Sequence, residues 1–186
     1  MTNQDLGKIK LKAYIALVLS VCAVIPFVGK IFSIASYIVM FFAIKGVSGH
    51  SQSPTLLKHF TLFLVFMVAS VVIGSISTLF TGVAVFSVIG GMGGVGIGYY
   101  AVKILGFAVA LGGILYGFRY YKEMSKLTDI NLFFIAYIFV LIDTVLTALW
   151  LGAISWVFLV ISFIVELLAW IKLEHINKAE IQNKNE

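Results

Sequence analysis

Three ionisable side chains stand inside long apolar runs of this sequence: Lys103, Asp143 and Glu166. On insertion scales each costs about 2.5–3.5 kcal/mol near the middle of a bilayer, so each must face protein or water and find a partner. Thr144 adjoins Asp143 and Thr147 follows it one helical turn on, while Ser155, Ser162 and Glu166 share one helical face. Carboxylates so placed mark proton or cation routes in membrane proteins, and they serve equally as acceptors that tie helices together. Lys103 lies on a face with Gly106, Ala110, Gly113 and Gly117, small residues that let a second helix approach closely. Ser70 and Gly74, with Ser77, are the expected packing partners of that face. Lys103 and Asp143 fall at depths about one turn apart, which predicts an ion pair between them.

Other constellations carry less chemistry. His50, His59 and His175 match no zinc spacing and read as solvated loop residues. A single cysteine, Cys22, excludes an internal disulfide and any cysteine-based metal site. The run Gly90-Gly91-Met92-Gly93-Gly94 has neither the dinucleotide-binding spacing nor the Lys and Ser/Thr of a phosphate loop. No Ser, His and Asp set and no paired intramembrane aspartates suggest catalysis, so the reading is non-enzymatic, with no cofactor and no metal.

The elements that must position these residues follow from composition. Of 186 residues, 61% are hydrophobic and 11% charged, against about 45–50% and about 25% in ordinary soluble domains. That excludes a soluble enzyme and a disordered chain, and it predicts an all-α, polytopic transmembrane helical bundle forming one membrane domain. Six membrane segments are expected, near 13–28, 31–44, 56–80, 99–118, 130–151 and 153–171. Pro26 stops or kinks the first, Ser53 and Pro54 start the third, and Asp129 is placed as N-cap of the fifth. Residues 81–98 hold seven glycines and are read as a loop, because glycine weakens a helix by about 1 kcal/mol per residue relative to alanine. Residues 174–186 form a polar tail that frays or continues as helix. The second run is short for a bilayer, and a re-entrant hairpin over the first two segments would keep the same sidedness.

Charge sets the orientation. Eleven of the thirteen Lys and Arg residues fall on one side if the N-terminus, the 45–59 and 119–129 connectors and the tail lie together, leaving Lys30 and Lys103. Short basic loops favour the cytoplasm, so both termini are expected there. The net charge of +5 is then explained by topology and anionic lipid, with no nucleic-acid partner.

The turn Ile25-Pro26-Phe27-Val28-Gly29, the exit Ala43-Ile44-Lys45-Gly46 and the stretch from Ser53 to Phe60 resemble a prokaryotic family of integral membrane proteins known as domain of unknown function number nine hundred and ninety-six. The connector from Arg119 to Phe133 and the closing hairpin to Lys172 are similar to that family's second half. The resemblance implies a multi-span protein of a prokaryotic cytoplasmic membrane and carries over no functional residues. Within the chain, the first and last hairpins look alike, each an apolar helix, a turn with Gly29 or Gly152, and a second helix bearing serines and ending at Lys45 or Lys172. The expected role is packing or partner binding, the partners being the bilayer and other membrane proteins or a second copy. The alternative is a small transporter or ion-conducting protein using Asp143, Glu166 and Lys103.

Overall fold

Continuous apolar sequence with no alternation leaves the helix as the one way to satisfy the backbone locally, and the computed structural model is all-α. It describes residues 3–22, 25, 29–89, 96–149 and 151–179. The Pro26 turn beyond Ile25, the Gly90–Gly94 run and the last seven residues lie outside them. The helices are α1 (Asn3–Cys22), α2 (Gly29–Ser51), α3 (Pro54–Ile89), α4 (Gly96–Thr128), α5 (Leu132–Ala148) and α6 (Gly152–Lys172). The chain divides into one unit of residues 1–60 and 117–186 and another of 61–116.

Among the described residues, four helices contain a stretch long and apolar enough to cross a membrane, Ile31–Ser51, Pro54–Gly74, Tyr100–Thr128 and Ile154–Lys172, and Leu132–Thr147 is a shorter apolar helix. Lys8, Lys10 and Lys12 occupy the first half of α1, and α5 is only 17 residues, or about 26 Å at 1.5 Å per residue. The second segment, by contrast, is longer than expected because α2 continues through Lys45 to Ser51. Regular apolar ridges are left exposed. Ile104, Phe107, Leu111 and Leu115 on α4, and Val157, Val160, Ile164, Leu168 and Ile171 on α6, are all exposed at steps of three and four. A water-soluble chain rarely exposes apolar ridges of that extent, whereas lipid covers them without cost. The chain is a membrane protein.

Three boundaries depart from the expected ones. Helix α3 runs to Ile89, through residues expected to be loop. Between 81 and 89 the only glycine is Gly82, so the glycine penalty falls on the residues that follow rather than on this segment. Helix α4 runs past 118 to Thr128, making Arg119 to Lys126 helical rather than connecting. Asp129 is not the N-cap of α5; it takes φ 55° after α4, and Asn131 precedes α5 with no side-chain cap bond. Gln52 takes the same φ of 55° after α2. In both connectors the next amide reaches back five residues, Ser53 N–H to Ser48 O at 3.2 Å and Ile130 N–H to Ser125 O at 3.2 Å. That is the Schellman ending, with Gln52 and Asp129 in the left-handed position usually given to glycine.

In the first unit, α1 pairs with α2, α5 pairs with α6, and α1 also packs on α6. Ala13, Ala16, Ala43, Ile44 and Val47 are fully or nearly fully buried, so the α1–α2 seam is built of small and branched residues. Each hairpin has a buried serine that bonds to an alanine carbonyl across it: Ser36 Oγ donates to Ala16 O at 2.8 Å, and Ser162 Oγ donates to Ala136 O at 2.9 Å. The likeness of the two hairpins thus extends to this bond. Lys10 Nζ donates to Ile171 O at 2.9 Å and Leu173 O at 3.2 Å, a cation on the carbonyl end of α6 where the helix dipole favours it. In the second unit, the Phe66 ring lies over Gly112 and stacks on Tyr116 at 5.5 Å, with Phe66 Cβ beside Gly113.

A Cβ added at Gly46 would stand 2.7 Å from Ile9 Cγ1, whereas one at Gly49 meets nothing within 4 Å. Gly46→Ala is therefore expected to destabilise by about 1–3 kcal/mol through overpacking, and Gly49→Ala to gain up to about 1 kcal/mol of helix propensity. Thermal unfolding of the two variants in detergent measures this, and equal midpoints would contradict the α1–α2 seam.

Candidate functional site

The most polar cluster stands where the helix ends of the first unit gather. The Schellman turn at Gln52 delivers Ser53 to the start of α3, where its Oγ accepts the Leu56 amide at 3.4 Å, the N-cap bond expected from the sequence. Thr55 and His59 follow on the first turns of α3. Glu123, on the penultimate turn of α4, receives all three: Ser53 Oγ at 2.5 Å and Thr55 Oγ1 on Oε1, and His59 Nδ1 at 2.9 Å on Oε2. The His59 and Glu123 side chains are only 22% and 19% exposed. A carboxylate at the N-terminus of α3 also meets the positive end of that helix dipole. In this order the carboxylate stands between the hydroxyls and the imidazole, so it gathers donors rather than activating a hydroxyl as a nucleophile.

Beside Glu123 opens a cavity of about 630 Å³ whose lining includes Ser53, Thr55, Glu123, Lys126, Asn177 and Lys178. Its outer wall is the tail. After α6 the backbone turns extended at Leu173, whose side chain is fully buried, and stays non-helical through Ala179. Asn177 N–H donates to Leu127 O and Ala179 N–H to Ser51 O, both at 2.7 Å. These acceptors are end carbonyls of α4 and α2, which helix geometry leaves without intrahelical donors. The tail residues through Ala179 thus neither fray nor continue α6; they strap two helix ends together.

The residues singled out from the sequence lie elsewhere. Asp143 on α5 accepts from Ser155 Oγ on α6, and Thr147 Oγ1 is 2.7 Å from the same hydroxyl. Glu166 is half-buried and accepts from Tyr121 Oη at 3.5 Å; Tyr121 stacks on Tyr137 with centroids 5.0 Å apart. The stripe of Ser155, Ser162 and Glu166 is real, and each member bonds to α5 or α4. Lys103 is exposed on α4 in the second unit rather than turned inward, and Asp143 belongs to the first. On the small-residue face, Gly106 lies against Ile73 and Gly113 against Phe66, whereas Ala110 is exposed and Gly117 is buried in the first unit. Gly74 is exposed, and a Cβ there would touch nothing within 4 Å, while Ser70 is half-buried. On α3 the residues that meet α4 here are Ile73 and Phe66, the Phe66 ring lying against Gly112, beside that face rather than on it.

Sequence reasoning missed Glu123 and took His59 for a solvated loop residue. The signal was the placement of Ser53, Thr55 and His59 at steps that share the first turns of one helix. Trp170 Nε1 is buried on α6, one turn from Glu166. Among the described residues no group of three His, Cys, Asp or Glu side chains is arranged to hold a metal.

Replacing Glu123 by alanine leaves three donors without their acceptor. Bonds to a charged group contribute about 1.5–3 kcal/mol, so Glu123→Ala is expected to destabilise by at least that much, and Glu123→Gln by less. Unfolding midpoints of the two variants measure this, and a silent Glu123→Ala would remove the cluster's structural role.

No family model, curated protein or solved structure matches the chain, so the resemblance to the family of integral membrane proteins rests on its turn motif and hydrophobic pattern alone.

Proposed function

We propose that the chain is a multi-pass, non-enzymatic protein of a prokaryotic cytoplasmic membrane that works through helix packing and partner binding, as a subunit beside other membrane proteins or a second copy of itself. One observation carries this reading: Asp143, Ser155, Ser162 and Glu166, set among apolar residues, bond as rungs between helices. Asp143 takes the Ser155 hydroxyl, Ser162 holds Ala136 O and Glu166 takes the Tyr121 hydroxyl. Such bonds contribute about 0.6–2 kcal/mol each in membranes and fix which helix faces meet.

The conducting alternative needs polar side chains in succession. Ser155 and Glu166 are eleven positions apart, or about 16 Å along α6, and on α6 itself the one hydroxyl between them is that of Ser162, already bonded to the Ala136 carbonyl. The orientation proposed, with both termini cytoplasmic, is supported by bonds that join Lys10, the tail and both connectors at one end of the first unit. A basic end favours the cytoplasmic side. The exposed ridges on α4 and α6 suit lipid or a partner helix.

Reconstitution into vesicles carrying a pH-sensitive dye and an imposed gradient tests the choice. Wild type, Asp143→Asn and Glu166→Gln are all expected to leak protons at the rate of protein-free vesicles. A wild-type flux that either substitution abolishes would overturn the packing role in favour of conduction.

A further inference from the structure

The cavity beside Glu123 has an unbalanced chemistry. Among the described residues that line it, Glu123 is the one carboxylate, and it is answered three times over from within the protein, by Ser53, Thr55 and His59. The cavity's two ammonium groups are not. Lys126 and Lys178 line the cavity, are exposed to it and to solvent, and take part in no hydrogen bond or ion pair among the described residues. Asn177 adds an exposed side-chain amide whose donors and acceptor are likewise unused. At about 630 Å³ the space falls within the range of small-molecule sites, about 300–1,000 Å³. It opens at the ends of α3 and α4, where an apolar helix gives way to polar connectors, which is the level of lipid headgroups.

We propose that this cavity binds a phosphate-bearing anion, with Lys126 and Lys178 as its charge partners and Asn177 hydrogen-bonding the remainder of the ligand. Glu123 does not oppose the anion, because its charge is spent on three internal donors and on the positive end of α3. The phosphate can come from the headgroup of an anionic lipid in the surrounding leaflet or from a soluble phosphate ester, and both present the same group to the two lysines. Binding also bears on the tail. Asn177 and Lys178 reach the ligand from the strap, while Lys126 reaches it from α4, so an occupied cavity holds the strap onto the helix ends. This site is independent of the packing role: it stands or falls on ligand binding and not on flux.

Calorimetric titration of the full chain in neutral detergent with short-chain phosphatidylglycerol, glycerol phosphate, inorganic phosphate and net-neutral short-chain phosphatidylcholine tests the site. At least one of the three anions is expected to bind, and Lys126→Met with Lys178→Met to weaken it by about tenfold or more, since each lysine near a phosphate contributes a severalfold factor. The same change at Lys45 and Lys172, exposed lysines outside the cavity lining, is expected to leave affinity unaltered. Binding of the lipid alone identifies a headgroup site, and binding of glycerol phosphate or phosphate identifies a soluble ligand; both support the proposal. Absence of binding by every anion, equal binding of phosphatidylcholine, or undiminished affinity in the Lys126/Lys178 variant overturns it. Should that variant not fold, the salt dependence of the wild type decides: affinity must fall as ionic strength rises, and a flat response contradicts charge pairing.

Discussion

In hydrocarbon there is no water to answer a polar group, so every hydroxyl, carboxylate and backbone carbonyl that enters it must be answered by the chain itself. That requirement organises this structure more than hydrophobic burial does, because lipid is as apolar as the side chains it touches. The apolar ridges on α4 and α6 are left exposed by the rest of the chain. What pairs the helices is a small set of directed bonds: Ser36 to the Ala16 carbonyl, Ser162 to the Ala136 carbonyl, Ser155 to Asp143 and Tyr121 to Glu166. A serine on the second helix of each hairpin reaching an alanine carbonyl on the first works because alanine leaves the backbone open to approach.

The same requirement explains why the densest core of the first unit lies at one end. Helix termini leave carbonyls without partners, and here α2, α4 and α6 all end close together. Their carbonyls are answered by the Schellman amides of Ser53 and Ile130, by Lys10, and by the tail amides of Asn177 and Ala179. Around these bonds pack Phe60, Tyr120, Met124, Phe133 and Trp170, all nearly inaccessible, with Phe133 edge-on to Trp170 at 5.2 Å. Glu123 with its three donors belongs to this gathering. The cavity is the part of it that the chain leaves unfilled.

Helix content, the α3 start at Ser53-Pro54 and the polar stripe on α6 were legible in the sequence, because each depends on local pattern: apolar continuity, a capping residue before proline, and side chains at helical spacing. The extent of α3 and α4 was not. Averaging the glycines of 81–98 over the whole stretch hid a segment with one glycine, and the charges from Arg119 to Lys126 were taken to end a helix when they decorate its last turns. Asp129 was misplaced because an aspartate suits both an N-cap and a left-handed helix ending, and which one it takes is decided by where α4 stops. Glu123 escaped notice because its three partners lie about seventy positions earlier in the chain, a pairing that only the fold creates. Likewise the tail reads as polar and loose until the carbonyls it bonds are in place.

If the polar stripe of α6 is a set of dry bonds between helices, a water-borne reagent cannot travel along it. With Cys22 changed to serine, single cysteines at Ser155, Ser162 and Glu166 can be offered a membrane-impermeant thiol reagent from each side of reconstituted vesicles. The cysteine at Ser162 is expected to stay unmodified from both sides, as a buried hydroxyl bonded to a backbone carbonyl requires. Modification at all three positions would mean that water runs along the stripe, and would contradict dry bonds there.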